Sequence, residues 1–263
     1  MSKNLTAARL IAAARLAKAP LAPLPENCRP MTPDDGYSVQ EVLHGLLRDD
    51  NNERRVGYKI GCTTPVMQQM IGVDHPCAGS ISDTEVFHDH VSLPYTDFIN
   101  VGVECEICVI LARDLSPDNA PYDRERVVDA ISAVAPSIEI IDRRAQGGPA
   151  AVGIPTMIAD DFSAAGAVLG PEIRDWKAID LAALTGRVMI DGEEKSAGVG
   201  ADVMGHPLEA VAWFANMKAA RGEILQKGEF ILTGSLTMAQ FPEGPCEVTV
   251  EIDQLGSAGV TFT

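Results

Sequence analysis

Two glutamates lie inside a segment that otherwise has the pattern of a buried strand, "VGVECEICVILARDL" (residues 101–115). Glu104 and Glu106 are two residues apart, so on a strand both side chains leave the same face. Two carboxylates on one apolar face repel each other and resist desolvation, and they therefore require compensation. A second apolar run, "AVAPSIEIIDRR" (residues 133–144), places Glu139 among isoleucines and Asp142 at its end.

These carboxylates allow two interpretations. One is a bound hard cation, because oxygen ligands suit Mg²⁺, Mn²⁺ or Ca²⁺, whereas zinc would favour His or Cys. About three protein carboxylates suffice when water and substrate fill the other positions of the ion. The other interpretation is that Glu104 and Glu106 face solvent on a half-exposed antiparallel sheet. Spacing alone does not decide between them.

Two further segments carry groups that suit an anionic ligand. Lys59 lies in "GYKIG" between two glycines, which allow a ligand to approach the backbone closely. A partly buried lysine can meet an anion or transfer a proton, although one at a strand end can also extend its ammonium to solvent. The segment "ILTGSLTMAQ" (residues 231–240) places Ser235 and neighbouring hydroxyls around a glycine. It could bind an anion or form a plain turn.

Other candidate motifs are weaker. Cys105 and Cys108 form a C-x-x-C, but residues three apart on a strand point to opposite faces, so their sulfurs cannot meet there. His88 and His90 lack nearby partners, which favours a surface loop over a metal site. The sequence has no G-x-S-x-G, P-loop or G-x-G-x-x-G motif. The commonest hydrolase and nucleotide-binding readings are therefore removed.

The elements that must position these residues are mostly strands. Thr32 and Pro33 are typical of a helix start and precede an apolar stripe, which predicts a helix over 33–48. Helices are also predicted over 123–133 and 207–221. The predicted strands are 101–112, 134–142, 154–159, 164–170, 186–191, 230–233 and 246–252. Because strands and helices do not alternate regularly, a doubly wound parallel sheet is disfavoured.

The bulk composition limits the partners. The formal net charge of −16 argues against nucleic acid and anionic membranes, although a small anionic substrate responds only to the local field. No run approaches the roughly 18 apolar residues that a membrane span requires. The six cysteines are too few and too scattered for a disulfide scaffold, which predicts reduced thiols and a cytoplasmic location.

Taken together, these segments resemble the 2-keto-4-pentenoate hydratase / 4-oxalocrotonate decarboxylase family, a branch of the fumarylacetoacetate hydrolase superfamily. The resemblance covers nearly the whole chain and runs through "YSVQ" (37–40), "GYKIGCTTPVMQQMIGVD" (57–74), the two glutamate segments, "MGHPLEAVAWFAN" (204–216), "ILTGSLT" and "LGSAGVTF". It implies an α+β fold with a rolled mixed β-sheet core, an N-terminal helical portion and peripheral helices, assembled as homo-oligomers. We expect the helical portion over 1–55 and a metal-binding mixed β catalytic domain over 56–263.

The resemblance also implies a set of site residues. A divalent cation, Mg²⁺ or Mn²⁺, is expected on three glutamates, with Asp142 supporting them from behind. The implied metal ligands are Glu104, Glu106 and Glu139, the implied catalytic residue is Lys59, and the implied substrate-binding residues are Ser235, Ser163 and Asp74.

The implied activity is hydration of a 2-hydroxy-2,4-dienoate to a 4-hydroxy-2-oxo acid, as in the degradation of aromatic compounds. A 4-oxalocrotonate-type decarboxylase or a C–C bond hydrolase on the same site is the alternative. A diacid substrate would need a second cationic contact, for which Arg143 and Arg144 are candidates. A third hypothesis is a non-catalytic subunit that stabilises a partner enzyme. Intact acidic residues count against it, because a cluster of buried carboxylates is costly.

Two departures from the family pattern concern the pocket. Many relatives carry an acidic or bulky residue after the proline of the segment "GVDHPCAGSI", but here Pro76 is followed by Cys77. An aspartate acid/base at that position would have to be replaced by water, Asp74 or another group. Relatives also tend to have Asp-Asn-Ala-Ser where this chain has "DDFS" (160–163). The extra Asp161 and the bulky Phe162 are expected to reshape the pocket.

Overall fold

The N-terminal part of the protein is helical. The structure, a computed structural model, describes residues 2–263 and begins with helices α1 (Lys3–Leu16) and α2 (Pro33–Asn51). At the start of α2, Thr32 accepts a hydrogen bond from the Asp35 amide, while the Asp35 carboxylate accepts one from the Thr32 amide. This capping box satisfies amides that would otherwise lack partners. The helix predicted over 33–48 is confirmed and extends to residue 51.

The remaining helices are short except for the last. They are α3 (Pro65–Ile71), α4 (Arg124–Val128), α5 (Pro149–Val152), α6 (Ile154–Ala159) and α7 (Pro207–Ala220). The helix predicted over 207–221 is therefore confirmed. The helix predicted over 123–133 is wrong beyond residue 128, because the chain turns and a strand begins at Ile131. The strand predicted over 154–159 is also wrong, because those residues form α6.

The strands carry most of the fold. They are β1 (Arg55–Gly61), β2 (Cys77–Ser82), β3 (Val86–His88), β4 (His90–Leu93), β5 (Val101–Leu111), β6 (Ile131–Asp142), β7 (Ala164–Leu169), β8 (Thr185–Ile190), β9 (Glu193–Val199), β10 (Phe230–Ser235), β11 (Cys246–Ile252) and β12 (Gly256–Phe262). Within the described residues they form two sheets.

Both sheets mix parallel and antiparallel pairs. The larger has the order β2-β1-β10-β5-β6-β7-β3, and the smaller has the order β4-β12-β11-β8-β9. Strand β10 runs antiparallel to β5 and parallel to β1. It therefore places a segment from late in the chain next to the first strand. The smaller sheet packs on β5, β6 and β7 of the larger. The predicted α+β fold with a mixed β core and peripheral helices is confirmed.

The core is continuous across the two sheets and α7. Alternate residues of β5, including Val103, Cys105 and Ile107, are fully buried between the sheets. Helices α1 and α2 share a smaller core with Leu21 and Ala159, which attaches them to the C-terminal end of α6. This attachment places the helical pair next to the residues that follow α6. No helix in residues 2–263 combines the length and apolarity needed to cross a bilayer.

Candidate metal and active site

The register of three neighbouring strands brings the glutamates together. Glu104 on β5 lies directly opposite Glu139 on β6, and Glu106 lies opposite Ser137 on β6 and Ser235 on β10. Like charges that face each other across an antiparallel pair destabilise it. The β5–β10 pairing is irregular just before Ser235. There the Gly234 amide donates a 2.7 Å hydrogen bond to Glu106 Oε2.

The three carboxylates converge on one point. One oxygen from each of Glu104, Glu106 and Glu139 can be chosen so that all three lie within 4.8 Å of one another. Glu106 and Glu139 are 0 % exposed, whereas Glu104 is partly buried. Within residues 2–263, Glu106 Oε1 and Glu139 Oε2 have no hydrogen-bond partner. Buried carboxylate oxygens without partners are costly, and a cation is the group that would satisfy them.

Lys59 approaches the cluster from across the sheet. Its ammonium Nζ lies 2.8 Å from Glu139 Oε1, and both side chains are almost completely buried. In the sheet, three inter-strand steps of about 4.8 Å separate β1 from β6. The contact therefore requires the sheet to curl around the site. A single ammonium cannot balance three carboxylates, so the site retains a need for positive charge.

The shifted pKa values of the clustered carboxyl groups reflect this surplus of negative charge. Burial, and then the charge of Glu139, raises the pKa of Glu104 to about 7. The same two causes raise the pKa of Glu106 well above its usual range. Burial alone would lower the pKa of Lys59, but Glu139 and Glu104 outweigh it and raise that pKa, so the lysine remains charged. Three oxygen donors with a surplus negative charge fit a hard divalent cation.

The structure places the three predicted substrate-binding residues differently. Ser235 lies beside the cluster, opposite Glu106. Ser163 follows Phe162, whose ring centroid lies 5.3 Å from Lys59 Nζ, and its own amide donates to the Asp160 carbonyl. Asp74 follows α3 with a side chain that is 100 % exposed, and its carboxylate lies 4.0 Å from His75 Nε2. No contact in the described residues joins Asp74 to the glutamates.

The residues after Glu139 divide into separate roles. The Asp142 carboxylate accepts hydrogen bonds from the Ile99 and Asn100 amides, so the expectation that it supports the metal ligands is wrong. Arg144 is buried and donates to the Asp160 carboxylate and to the Ala164 carbonyl. Arg143 stacks 3.5 Å from the ring centroid of Phe241, and its charge interacts with Glu104.

Sequence reasoning missed a thiol pair at the edge of the site. Cys77 lies opposite Gly61 in the β1–β2 pairing, next to Cys62. Hydrogen bonding with Cys77, together with the charge of Lys59, lowers the pKa of Cys62, whereas hydrogen bonding and burial raise that of Cys77. The spacing of Cys62 and Cys77 in the sequence does not predict how β1 and β2 align, so it could not show that the two thiols meet. The available signal was the cysteine that follows Pro76.

Comparison with known proteins places the chain among metabolic enzymes. Residues 81–263 match the family described as fumarylacetoacetate (FAA) hydrolase C-terminal. The chain is 36% identical to a 2-hydroxyhexa-2,4-dienoate hydratase of Comamonas testosteroni over 97% of this chain and 95% of that protein. It is 34% identical to a 2-keto-4-pentenoate hydratase of Burkholderia vietnamiensis over 92% and 91% of the two chains.

A solved structure extends the likeness to the whole fold. The 4-oxalocrotonate decarboxylase of Pseudomonas putida G7, complexed with magnesium and adipate, superposes with a TM-score of 0.91 at 28% identity. The superposition covers 100% of this chain and 99% of that one.

Proposed function

Because the chain belongs to the 2-keto-4-pentenoate hydratase / 4-oxalocrotonate decarboxylase family of the fumarylacetoacetate hydrolase superfamily, we propose that it is a metal-dependent hydratase. It adds water to a 2-hydroxy-2,4-dienoate and forms a 4-hydroxy-2-oxo acid, and is thus a hydro-lyase. The observation that carries this proposal is the buried three-glutamate cluster with Lys59, in a chain whose similar relatives include named hydratases.

The proposed metal ligands are Glu104, Glu106 and Glu139. Their oxygens suit Mg²⁺ or Mn²⁺, and a decarboxylase relative is complexed with magnesium. When bound, such an ion would supply a Lewis acid that stabilises the negative charge developing on the substrate.

The chain's own groups orient the substrate and move protons. Lys59, which remains charged between Glu139 and Glu104, provides a hydrogen-bond donor beside the substrate's 2-oxygen. Ser235, opposite Glu106, and Ser163, next to Phe162, are the proposed hydroxyls that position the substrate or a water molecule. Ketonisation of the dienol gives an α,β-unsaturated ketone, to which water adds at carbon 4. The exposed Asp74 stays a predicted substrate contact without support from its position.

Decarboxylation of a 2-oxo-3-enedioate is the second candidate. It is favoured by the likeness to the solved decarboxylase, which is complexed with the diacid adipate. A second carboxylate needs its own cation. Of the two predicted arginines, Arg144 is engaged by Asp160, and only Arg143 is near the cluster. The hydratase is preferred because the named hydratases are more similar in sequence to this chain than the solved decarboxylase is.

The remaining features of the proposal concern the whole chain. We propose homo-oligomers, a cytoplasmic location, and a division into a helical portion over 1–55 and a catalytic portion over 56–263. Static light scattering would test the first of these against the 28.0 kDa mass of one chain.

The test is a spectrophotometric assay. Metal-stripped protein is mixed with 2-hydroxypenta-2,4-dienoate, and loss of the dienol absorbance is followed with and without Mg²⁺ or Mn²⁺. Metal-dependent loss that yields 4-hydroxy-2-oxopentanoate is expected. Turnover of 4-oxalocrotonate with release of carbon dioxide, and none of the monoacid, would replace the hydratase with the decarboxylase. Failure to bind metal by calorimetry would overturn both.

A further inference from the structure

We propose that Phe162, held beside Lys59 by a left-handed turn that Asp161 anchors, is a specificity-determining residue that selects monocarboxylates with an uncharged tail. The inference rests on the proposed function, because it concerns the substrate of the same site. It concerns Asp161 and Phe162 of the segment "DDFS" (160–163).

The turn that carries Phe162 has an unfavourable backbone conformation. Asp161, Phe162 and Ser163 follow α6 with φ angles of 51°, 49° and 70°. The left-handed region is disfavoured for residues with a Cβ, and bulky residues are rare there. Three such residues in succession persist only when contacts with the surrounding structure stabilise them. The side chain of Asp161 makes such contacts.

Asp161 is fixed by three donors from three different elements. Its buried carboxylate accepts hydrogen bonds from the Ser80 amide of β2 at 2.9 Å and from Arg15 of α1 at 2.8 Å. His44 of α2 lies 2.9 Å from the same carboxylate. Helices α1 and α2 thus hold the turn against β2, the edge strand of the larger sheet. This role accounts for a buried aspartate that takes no part in the metal cluster.

Two glycines allow the turn to lie flat on the face from which Lys59 projects. Gly79 pairs directly with Lys59, and a Cβ on it would lie 2.1 Å from the Asp161 carbonyl oxygen. A Cβ on Gly61, which lies two residues beyond Lys59 on the same face, would lie 3.0 Å from the Phe162 ring. The ring is therefore pressed onto the sheet beside the lysine.

The position of the ring determines what can bind there. Phe162 is 8 % exposed, and its ring centroid lies 5.3 Å from Lys59 Nζ, so a substrate held by Lys59 contacts it. A carboxylate against this ring would lose water. The cation beside the ring is Lys59, which is already paired with Glu139, and Arg143 stacks on Phe241 instead. An apolar tail loses nothing at the same place.

The experiment compares two 2-oxo acids that differ only at the far end. Binding of 2-oxohexanoate and 2-oxoadipate to Mg²⁺-loaded protein is measured by calorimetry. We expect the wild type to bind the monoacid at least about 10-fold more tightly, and Phe162→Ala to reduce that ratio about 10-fold. Phe87→Ala, on the edge strand β3, serves as a control for loss of an aromatic ring and should leave the ratio unchanged.

A second pair of variants tests the anchor. Asp161→Ala should reduce the same ratio as Phe162→Ala does, whereas Asp161→Asn, which keeps an acceptor for the Ser80 amide, should retain part of it. A purely structural role for Asp161 would lower the unfolding temperature and leave the ratio unchanged.

The outcomes separate this inference from the proposed function. If the wild type binds neither acid, the proposed function fails. If it binds both equally, or if Phe162→Ala leaves the ratio unchanged, the specificity proposal alone is overturned.

Discussion

At the scale of single residues, the site is a balance of buried charges. Glu104 and Glu139 are cross-strand neighbours, and Glu106 lies beside them with one oxygen that has no partner within residues 2–263. Lys59 contributes one positive charge to three carboxylates. The arrangement resembles a metal centre more than a salt bridge, because three carboxylates share one lysine and keep buried oxygens without partners.

Lys59 can be separated from the metal ligands by substitution. Lys59→Met should lower kcat about 100-fold or more, because the donor beside the substrate's 2-oxygen is lost. The affinity for Mg²⁺ should stay within about 10-fold of the wild type, since the three glutamates remain and lose a competitor. Steady-state kinetics and calorimetry measure the two quantities. The control is Lys227→Met, which removes an exposed lysine.

Equal loss of metal affinity and activity in Lys59→Met would show that the lysine only maintains the cluster. The proposed role of Lys59 as a donor to the substrate would then be withdrawn.

The sequence identified the glutamates because E-x-E on a strand fixes one face, whatever the rest of the fold does. It did not reveal that Lys59 would contact Glu139, since the two residues are 80 positions apart and lie on strands separated by β10 and β5. It also assigned Asp142 a supporting role at the metal, although that carboxylate holds the chain just before β5. Such long-range contacts depend on the register, which local patterns do not specify.

At the scale of elements, the turn after α6 links the helical portion to the site. Burial alone would raise the pKa of Asp161, but His44 and Arg15 outweigh it and hold that pKa well below its usual range. A depressed carboxyl pKa stabilises the fold fully above the unfolded value of about 3.9, and the contribution is lost as the pH falls below it.

Asp161→Asn should therefore destabilise the protein by about 2 kcal/mol at pH 7, where charged hydrogen bonds are lost. The difference from the wild type should be full at pH 7 and should shrink between about pH 4 and pH 2. Urea unfolding across this range measures it. Asp49→Asn removes an exposed aspartate and should show no such dependence. A constant difference down to about pH 2 would contradict the charged role.

Substitution of two glycines tests whether the turn of residues 161–163 packs directly on β2. Gly79→Ala should destabilise the protein by about 1–3 kcal/mol, because the added methyl would lie 2.1 Å from a backbone oxygen. Gly45→Ala on α2 meets no atom within 4 Å and should stabilise by about 0.5–1 kcal/mol. The free energy of unfolding in urea measures both. If Gly79→Ala left the free energy of unfolding unchanged, the turn of residues 161–163 would be free to move away from β2. The specificity proposal requires that it is held there.

Elements with strong local signals were predictable, and ambiguous ones were not. Helix α2 has a capping box and an apolar stripe, and its start was predicted correctly at residue 33. The segment of α6, "IPTMIA", is short and apolar, so periodicity could not distinguish a helix from a strand. Strand β9 was missed because its outward residues are charged and its central ones small.

At the scale of the whole molecule, charge and topology work together. The formal net charge of −16 favours cations near the surface and disfavours anionic substrates at long range. The substrate must therefore be attracted locally. The fold allows this because β10, from the C-terminal third of the chain, inserts between β1 and β5. That insertion unites Lys59, the glutamates and Ser235, and it could not be read from any one segment.

A cluster that needs a cation should make the stability of the whole protein depend on that cation. A ligand that binds only the folded state at 100 times its Kd adds about 2.7 kcal/mol. For a chain of this size the unfolding temperature should rise by about 5–10 °C on addition of Mg²⁺. Glu106→Gln should abolish the rise and, without metal, unfold at a higher temperature than the wild type, because a buried carboxyl that resists ionisation is replaced by a neutral amide.

Differential scanning calorimetry of metal-stripped protein with increasing Mg²⁺ measures this dependence. Glu247→Gln changes an exposed glutamate on β11 and should keep the full rise, which makes it the matched control. If Mg²⁺ raised the unfolding temperature of Glu106→Gln as much as that of the wild type, the ion would bind elsewhere on this acidic chain. The surplus charge of the glutamate cluster would then have to be relieved by protonation, which the raised pKa values of Glu104 and Glu106 favour.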